Sequence, residues 1–83
     1  MLSLAKICLD NKEYDQALEY CNTVLKEDNC QEEAHRMAMS AYHGMGNRAM
    51  VIRQYEQCCR VLDEELGEIP SNQTLHLYES LVK

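Results

Sequence analysis

The sequence predicts an all-α protein built from antiparallel helix pairs stacked side by side, and three observations carry that expectation. Two stretches align at an offset of 34 residues, which places Ala5, Cys8, Ala17, Cys21 and Val24 opposite Met39, Tyr42, Val51, Tyr55 and Cys58. Each matched point is small, apolar or aromatic, as expected when every helix pair buries one face on the next. Apolar residues also recur at helical spacing through most of the chain. Finally, one Pro, three Gly and no Trp or Phe argue against sandwiches, barrels and collagen-like sequences.

The elements follow in order. Leu2 to about Asp10 carries Leu2, Leu4, Ala5, Ile7, Cys8 and Leu9, apolar on more than half of a helical wheel, with Asn11 as a plausible stop. Tyr14 to about Asp28 places Ala17, Leu18, Cys21, Val24 and Leu25 on one face, the clearest amphipathic pattern in the chain. Asn29 with Glu32 resembles a capping box, so a third helix is expected to start near Cys30. Its stripe is Ala34, Met37, Ala38, Ala41, Tyr42 and Met45, and Gly44 and Gly46 end it.

A fourth helix runs from Asn47 to Leu66, with Val51, Tyr55, Cys58, Leu62 and Leu66 four, three, four and four residues apart. Gly67 supplies a left-handed stop and Pro70 forbids continuation. Ser71 caps a fifth helix bearing Leu75, Tyr78 and Val82, and Ile69 is expected to fold back on the preceding helix end. Helices one and two form one hairpin, three and four a second, and the fifth a lid. This is a tetratricopeptide-like arrangement, a right-handed superhelical array, with Tyr42 and Tyr55 expected to fill the gap between hairpins.

At 83 residues there is room for one small domain. The five cysteines are odd in number and lack the spacings of a disulfide framework, so they read as reduced, mostly buried residues. With no membrane-length apolar run and no signal-peptide start, the chain is expected to be cytoplasmic. The formal charge is −6, from 14 acidic against 8 basic residues that are spread out. Binding to phosphates needs a basic stripe, so direct nucleic-acid contact by this segment is not expected. The first helix is apolar on too many sides for the array to cover it. A fragment of a larger protein, or self-association through that helix as a homodimer, is therefore expected.

The stretch from Ala41 to Ala49, then Arg53-Gln54-Tyr55-Glu56, then Leu62-Asp63-Glu64-Glu65-Leu66-Gly67-Glu68-Ile69-Pro70-Ser71, resembles the bacterial transcriptional activator domain. That is the tetratricopeptide-like module found beside winged-helix domains in regulators of the Streptomyces antibiotic regulatory type, and in some large ATP-binding regulators. The EELGxxPS element, with Leu77-Tyr78 following, is its most specific part. The first hairpin matches only the generic repeat. Departures from the family pattern occur in both hairpins: Cys8 and Cys21 replace bulkier residues, Met39 stands where a small residue is common, and Val51 replaces a frequent Ala.

The resemblance implies a non-enzymatic regulatory module at the C-terminal side of a larger regulator. It would act through protein contacts: intramolecular docking on a DNA-binding or nucleotide-binding domain, dimerisation, or contact with the transcription machinery. A generic tetratricopeptide adaptor that binds a partner peptide is the alternative, and a thiol-based sensor is a third reading.

Such arrays bind through the face made by the first helix of each hairpin. The groove positions fall on Lys6 and Leu9 in the first repeat and on Glu33, Arg36, Ser40 and His43 in the second. No cofactor or metal site is expected. Cys58 and Cys59 are adjacent on a helix, about 100° apart, and cannot comfortably ligate one ion; Cys58 reads as packing and Cys59 as the edge of that face. His35, His43 and His76 have no Ser, Cys or Asp placed to form a helical dyad with them. The run Asp63-Glu64-Glu65 reads as solvated charge beside Arg60.

Overall fold

A computed structural model describes residues 2–83, and within them the chain forms five α-helices and no strand. They are α1 (Leu2–Asp10), α2 (Tyr14–Glu27), α3 (Glu32–Gly44), α4 (Arg48–Leu66) and α5 (Asn72–Val82). Helix α3 is central: it packs against each of the other four, while α1 pairs with α2 and α5 rests on α3 and α4. No helix among the described residues is long and apolar enough to cross a membrane.

The 34-residue period is written into the backbone as well as the side chains. At the end of α1, the Lys12 amide donates to the Leu9 carbonyl at 3.1 Å and the Glu13 amide to the Cys8 carbonyl at 2.7 Å, with Lys12 at φ +61°. At the end of α3, the Gly46 amide donates to His43 and the Asn47 amide to Tyr42, both at 2.9 Å, with Gly46 at φ +75°. These are two copies of one helix stop, in which a left-handed residue lets two amides cap carbonyls of the last turn. Every atom in the first has its counterpart 34 residues on. Among the described residues, Lys12 is the one non-glycine at positive φ, so the left-handed stop lies there and not at the expected Asn11.

Packing between the hairpins relies on small residues. Ala38 of α3 meets Ala5 and Cys21, and Ala41 meets Cys8 and Ala17. With no bulk between them the backbones approach closely, and Leu18 and Tyr20 close the rim of both clusters. Tyr14 bridges the hairpins, because a Cβ placed on Gly44 would lie 2.3 Å from its ring. Of the expected pair, Tyr55 turns elsewhere. Tyr55 stacks instead on Tyr78 of α5, with ring centroids 3.9 Å apart and planes 10° from parallel.

The ends of the helices differ from expectation in three further places. The capping box at Asn29 and Glu32 does not form: Gln31 is the N-cap residue of α3, so the helix opens two positions later than a box requires and Glu32 stands first in it rather than third. Asp28 makes the turn instead, its carboxylate accepting from the Cys30 amide at 3.1 Å. Ile69 does not fold back and is 85% exposed. On α5, Tyr78 and Val82 of the expected stripe are part-buried, while Leu75 is 37% exposed and Thr74, outside the stripe, is fully buried. Polar partners on α3 hold Thr74 in place.

Candidate partner-binding groove

Helix α3 places Glu33, Arg36, Met37 and Ser40 at spacings of three, one and three, a single stripe along one side. Lys6 of α1 flanks that stripe, and Gln73 and Leu77 of α5 face it, enclosing a groove of about 340 Å³. Of the six residues expected there, Lys6, Glu33, Arg36 and Ser40 therefore come together. Leu9 does not, since it packs on the Cys8–Ala17–Ala41 cluster. His43 lies exposed in the last turn of α3, outside the groove. Gln73 and Leu77 were missed because the generic repeat has only two helices per unit; the Leu77-Tyr78 pair was the one signal for that wall.

A polar clamp fixes α5 as this wall. The Glu32 carboxylate accepts from the Ser71 amide at 2.9 Å, from the Ser71 hydroxyl at 3.1 Å and from the Thr74 hydroxyl at 2.7 Å. Arg36 donates to the Thr74 hydroxyl at 3.0 Å, which holds its guanidinium at the groove edge. Burial pushes the Glu32 carboxyl up, but the Thr74 and Ser71 hydrogen bonds and the Arg36 charge outweigh it and leave the pKa below the usual carboxylate range. At the far end of α5, Arg48 donates to the Val82 carbonyl, an acceptor that the helix itself leaves free.

Behind the stripe, His35 is fully buried. Its Nε2 lies 2.8 Å from the Asn29 carbonyl and its Nδ1 lies 2.7 Å from the Gln54 amide nitrogen. A carbonyl can only accept, so Nε2 carries the proton and Nδ1 accepts from Gln54. Burial holds its pKa below the ordinary histidine value, against the opposing effects of the Asn29 carbonyl and Glu32. This ring ties the α2–α3 turn to α4, a structural role that sequence spacing did not reveal.

Cys58 is not in a reactive setting. Cys58 is fully buried, its thiol pushed up to about 12 mainly by that burial, and Cys59 is half-buried beside it. Thiolate chemistry requires the opposite shift. Among the described residues no cluster of His, Cys, Asp or Glu could hold a metal ion.

The loop between α4 and α5 reads out the EELGxxPS element atom by atom. Gly67 adopts φ +64° and its amide caps Asp63 at 3.0 Å, while the Ser71 side chain accepts from the Thr74 amide at 3.5 Å as N-cap of α5. Ser71 thus starts the helix and also clamps it to Glu32. The family description "bacterial transcriptional activator domain" matches residues 1–82. The chain belongs to that family. No curated protein and no solved structure matches it. The match takes in the first hairpin of this activator domain as well as the second, although only the second carries distinctive sequence. The activator domain is accordingly a helical, tetratricopeptide-like module of transcriptional regulation.

Proposed function

We propose that this activator domain works without enzymatic activity or cofactor, as a cytoplasmic protein-binding module whose contact face is the groove between α1, α3 and α5. Its partner is another part of the same regulator, such as a DNA-binding or nucleotide-binding domain, a dimer mate, or the transcription machinery. The observation that carries this is the convergence of Lys6, Glu33, Arg36 and Ser40 with the apolar Met37 and Leu77 on one concave surface. Such a mixture suits recognition of a protein segment, with apolar contact for affinity and charges for orientation. Arg36 is already pinned by Thr74, so less side-chain entropy is lost on binding.

The charge of −6 and the dispersed basic residues support leaving nucleic-acid contact to other domains. Of the partners named, a homodimer through α1 fits least well. A nine-residue helix with two large exposed apolar residues offers far less than the roughly 1,200 Å² that a stable interface buries.

A photo-crosslinking residue at Ser40 in the intact regulator tests the groove against one at Gln57 on the outer side of α4. Crosslinks to a protein segment from Ser40 are expected. Crosslinks from Gln57 alone would move the contact face to the other side of the array.

A further inference from the structure

Of the eleven residues of α5 only Thr74 is buried, and it is polar, whereas α3 and α4 bury five residues each. Leu77, Tyr78, Leu81 and Val82 are part-buried and the rest of the helix is exposed. Directional contacts therefore hold α5 more than an apolar core does. They are the Glu32 and Arg36 bonds to Ser71 and Thr74 at one end, the Tyr55–Tyr78 stack, and the Arg48 bond to the Val82 carbonyl at the other end. Hydrogen bonds contribute little net stability when both partners find replacements on release.

Replacements are at hand on both sides. Glu32 and Arg36 stand four residues apart on α3, acid before base, the order that favours an i,i+4 pair on a helix surface. Arg36 already lies near enough to help hold the Glu32 carboxyl down. The Thr74 hydroxyl sits between them, accepting from Arg36 and donating to Glu32, so its departure lets the two charges pair directly. On α5 the Ser71 hydroxyl accepts from the Thr74 amide, a bond within the helix end that release does not break.

We propose that α5 is a gate on the groove: it swings off α3 as a unit while Glu32 and Arg36 exchange Thr74 for one another, and an occupant of the groove holds it shut. Gln73 and Leu77 line the groove only while α5 is docked, and the bond to Thr74 fixes Arg36 at its edge. An occupant that touches these residues gains its contacts in the closed form alone and shifts the equilibrium towards it. The coupling rests on the groove as the contact face of this domain; the swing itself does not.

Amide hydrogen exchange in the intact regulator reads the swing. Thr74→Val keeps the shape of the side chain and removes the shared hydroxyl. It is expected to speed exchange in α5 by about tenfold with α3 and α4 unchanged, and Thr74→Ser to restore most of the protection. Ser71→Gly, which weakens the cap only slightly and removes the hydroxyl bonded to Glu32, is expected to give a smaller rise, of about threefold, confined to the same helix. Equal acceleration in α3, α4 and α5, or none in α5 with either variant, overturns the swing. A protein segment captured by a crosslinker at Ser40 is expected to slow exchange in α5 by about tenfold. Unchanged exchange in α5 of the crosslinked species overturns the coupling alone. No capture from Ser40 overturns the coupling together with the groove, while the swing stands or falls on the variants.

Discussion

The first hairpin and the second share a backbone plan and differ in how it is filled. Both first helices end in the same pair of carbonyl-capping bonds, yet one stop uses Gly46 and the other forces Lys12 into the left-handed region. Both second helices begin at the equivalent point, yet Asn47 caps α4 by accepting from the Met50 amide while Glu13 makes no side-chain cap on α2. Ala38 and Ala41 are sealed, while Leu4 and Ile7 stand open. Period alone thus sets the path of the chain, and local chemistry decides how firmly each copy is held. The second copy, with its caps, its buried histidine and its polar clamp to α5, is the finished one.

The sharpest way to break this comparison is to exchange side chains at matched positions. Met39→Ala should cost about 2–5 kcal/mol, because a fully buried side chain leaves a cavity at the centre of the stack. Ala38→Leu should cost about 1–3 kcal/mol by overpacking the contact with Ala5 and Cys21, whereas its counterpart Leu4→Ala should change stability by no more than about 0.5 kcal/mol. Urea midpoints check all three. Equal losses for Ala38→Leu and Leu4→Ala would mean that the Leu4 face is held as tightly as the Ala38 face, against the contrast between an open and a sealed side.

Gly67→Val should come next, at about 1–2 kcal/mol. No atom lies within 4 Å of the added Cβ, so the cost is that of the left-handed backbone alone. The converse applies at the strained stop of the first hairpin. Lys12→Gly should stabilise by about 1 kcal/mol, raising the thermal midpoint by about 4–8 °C in a domain of this size. An unchanged midpoint for Lys12→Gly would show that the first stop carries no strain.

Two titrations should distinguish the hairpin junction from the α5 clamp. The folded pKa of His35 lies below its ordinary value of 6.5, so its contribution is present above that value and is lost as pH falls through and below it, while the unfolded chain takes up the proton first. Glu32, also lowered, contributes above its ordinary 4.5 and loses that contribution only as pH falls further. Denaturation midpoints should therefore decline in two separate windows. His35→Gln should flatten the upper one, and Glu32→Gln the lower. A decline in the upper window that survives His35→Gln would assign it to another group.

Much of this architecture could be read from residue spacing, because helix pairs advertise themselves by period and by turn residues such as Gly46, Gly67 and Ser71. The misreadings share a cause. Glu32 looked like a local cap because Asn29 precedes it by three, but Ser71 and Thr74, some forty residues on, offer it three better donors. The spacing of Tyr55 points to the gap between hairpins, yet Tyr78 supplies a flat partner. Thr74, polar yet fully buried, lies outside the expected stripe for the same reason. Long-range polar pairing between α3 and α5 leaves no periodic trace, so nothing in the spacing places Gln73 at the groove, and the Leu77-Tyr78 pair is the one sequence signal for its α5 wall.

Transcription driven by the intact regulator compares the two sides of the array most directly. Lys6→Glu with Ser40→Arg alters the groove, and Arg53→Glu with Gln57→Arg alters the exposed side of α4 to a similar degree of charge and size. With both variants shown to fold as stably as the parent and to bind DNA equally, the groove variant is expected to lose activation and the α4 variant to keep it. Full activation by the groove variant, with loss in the α4 variant, would contradict the groove as the working face of this domain.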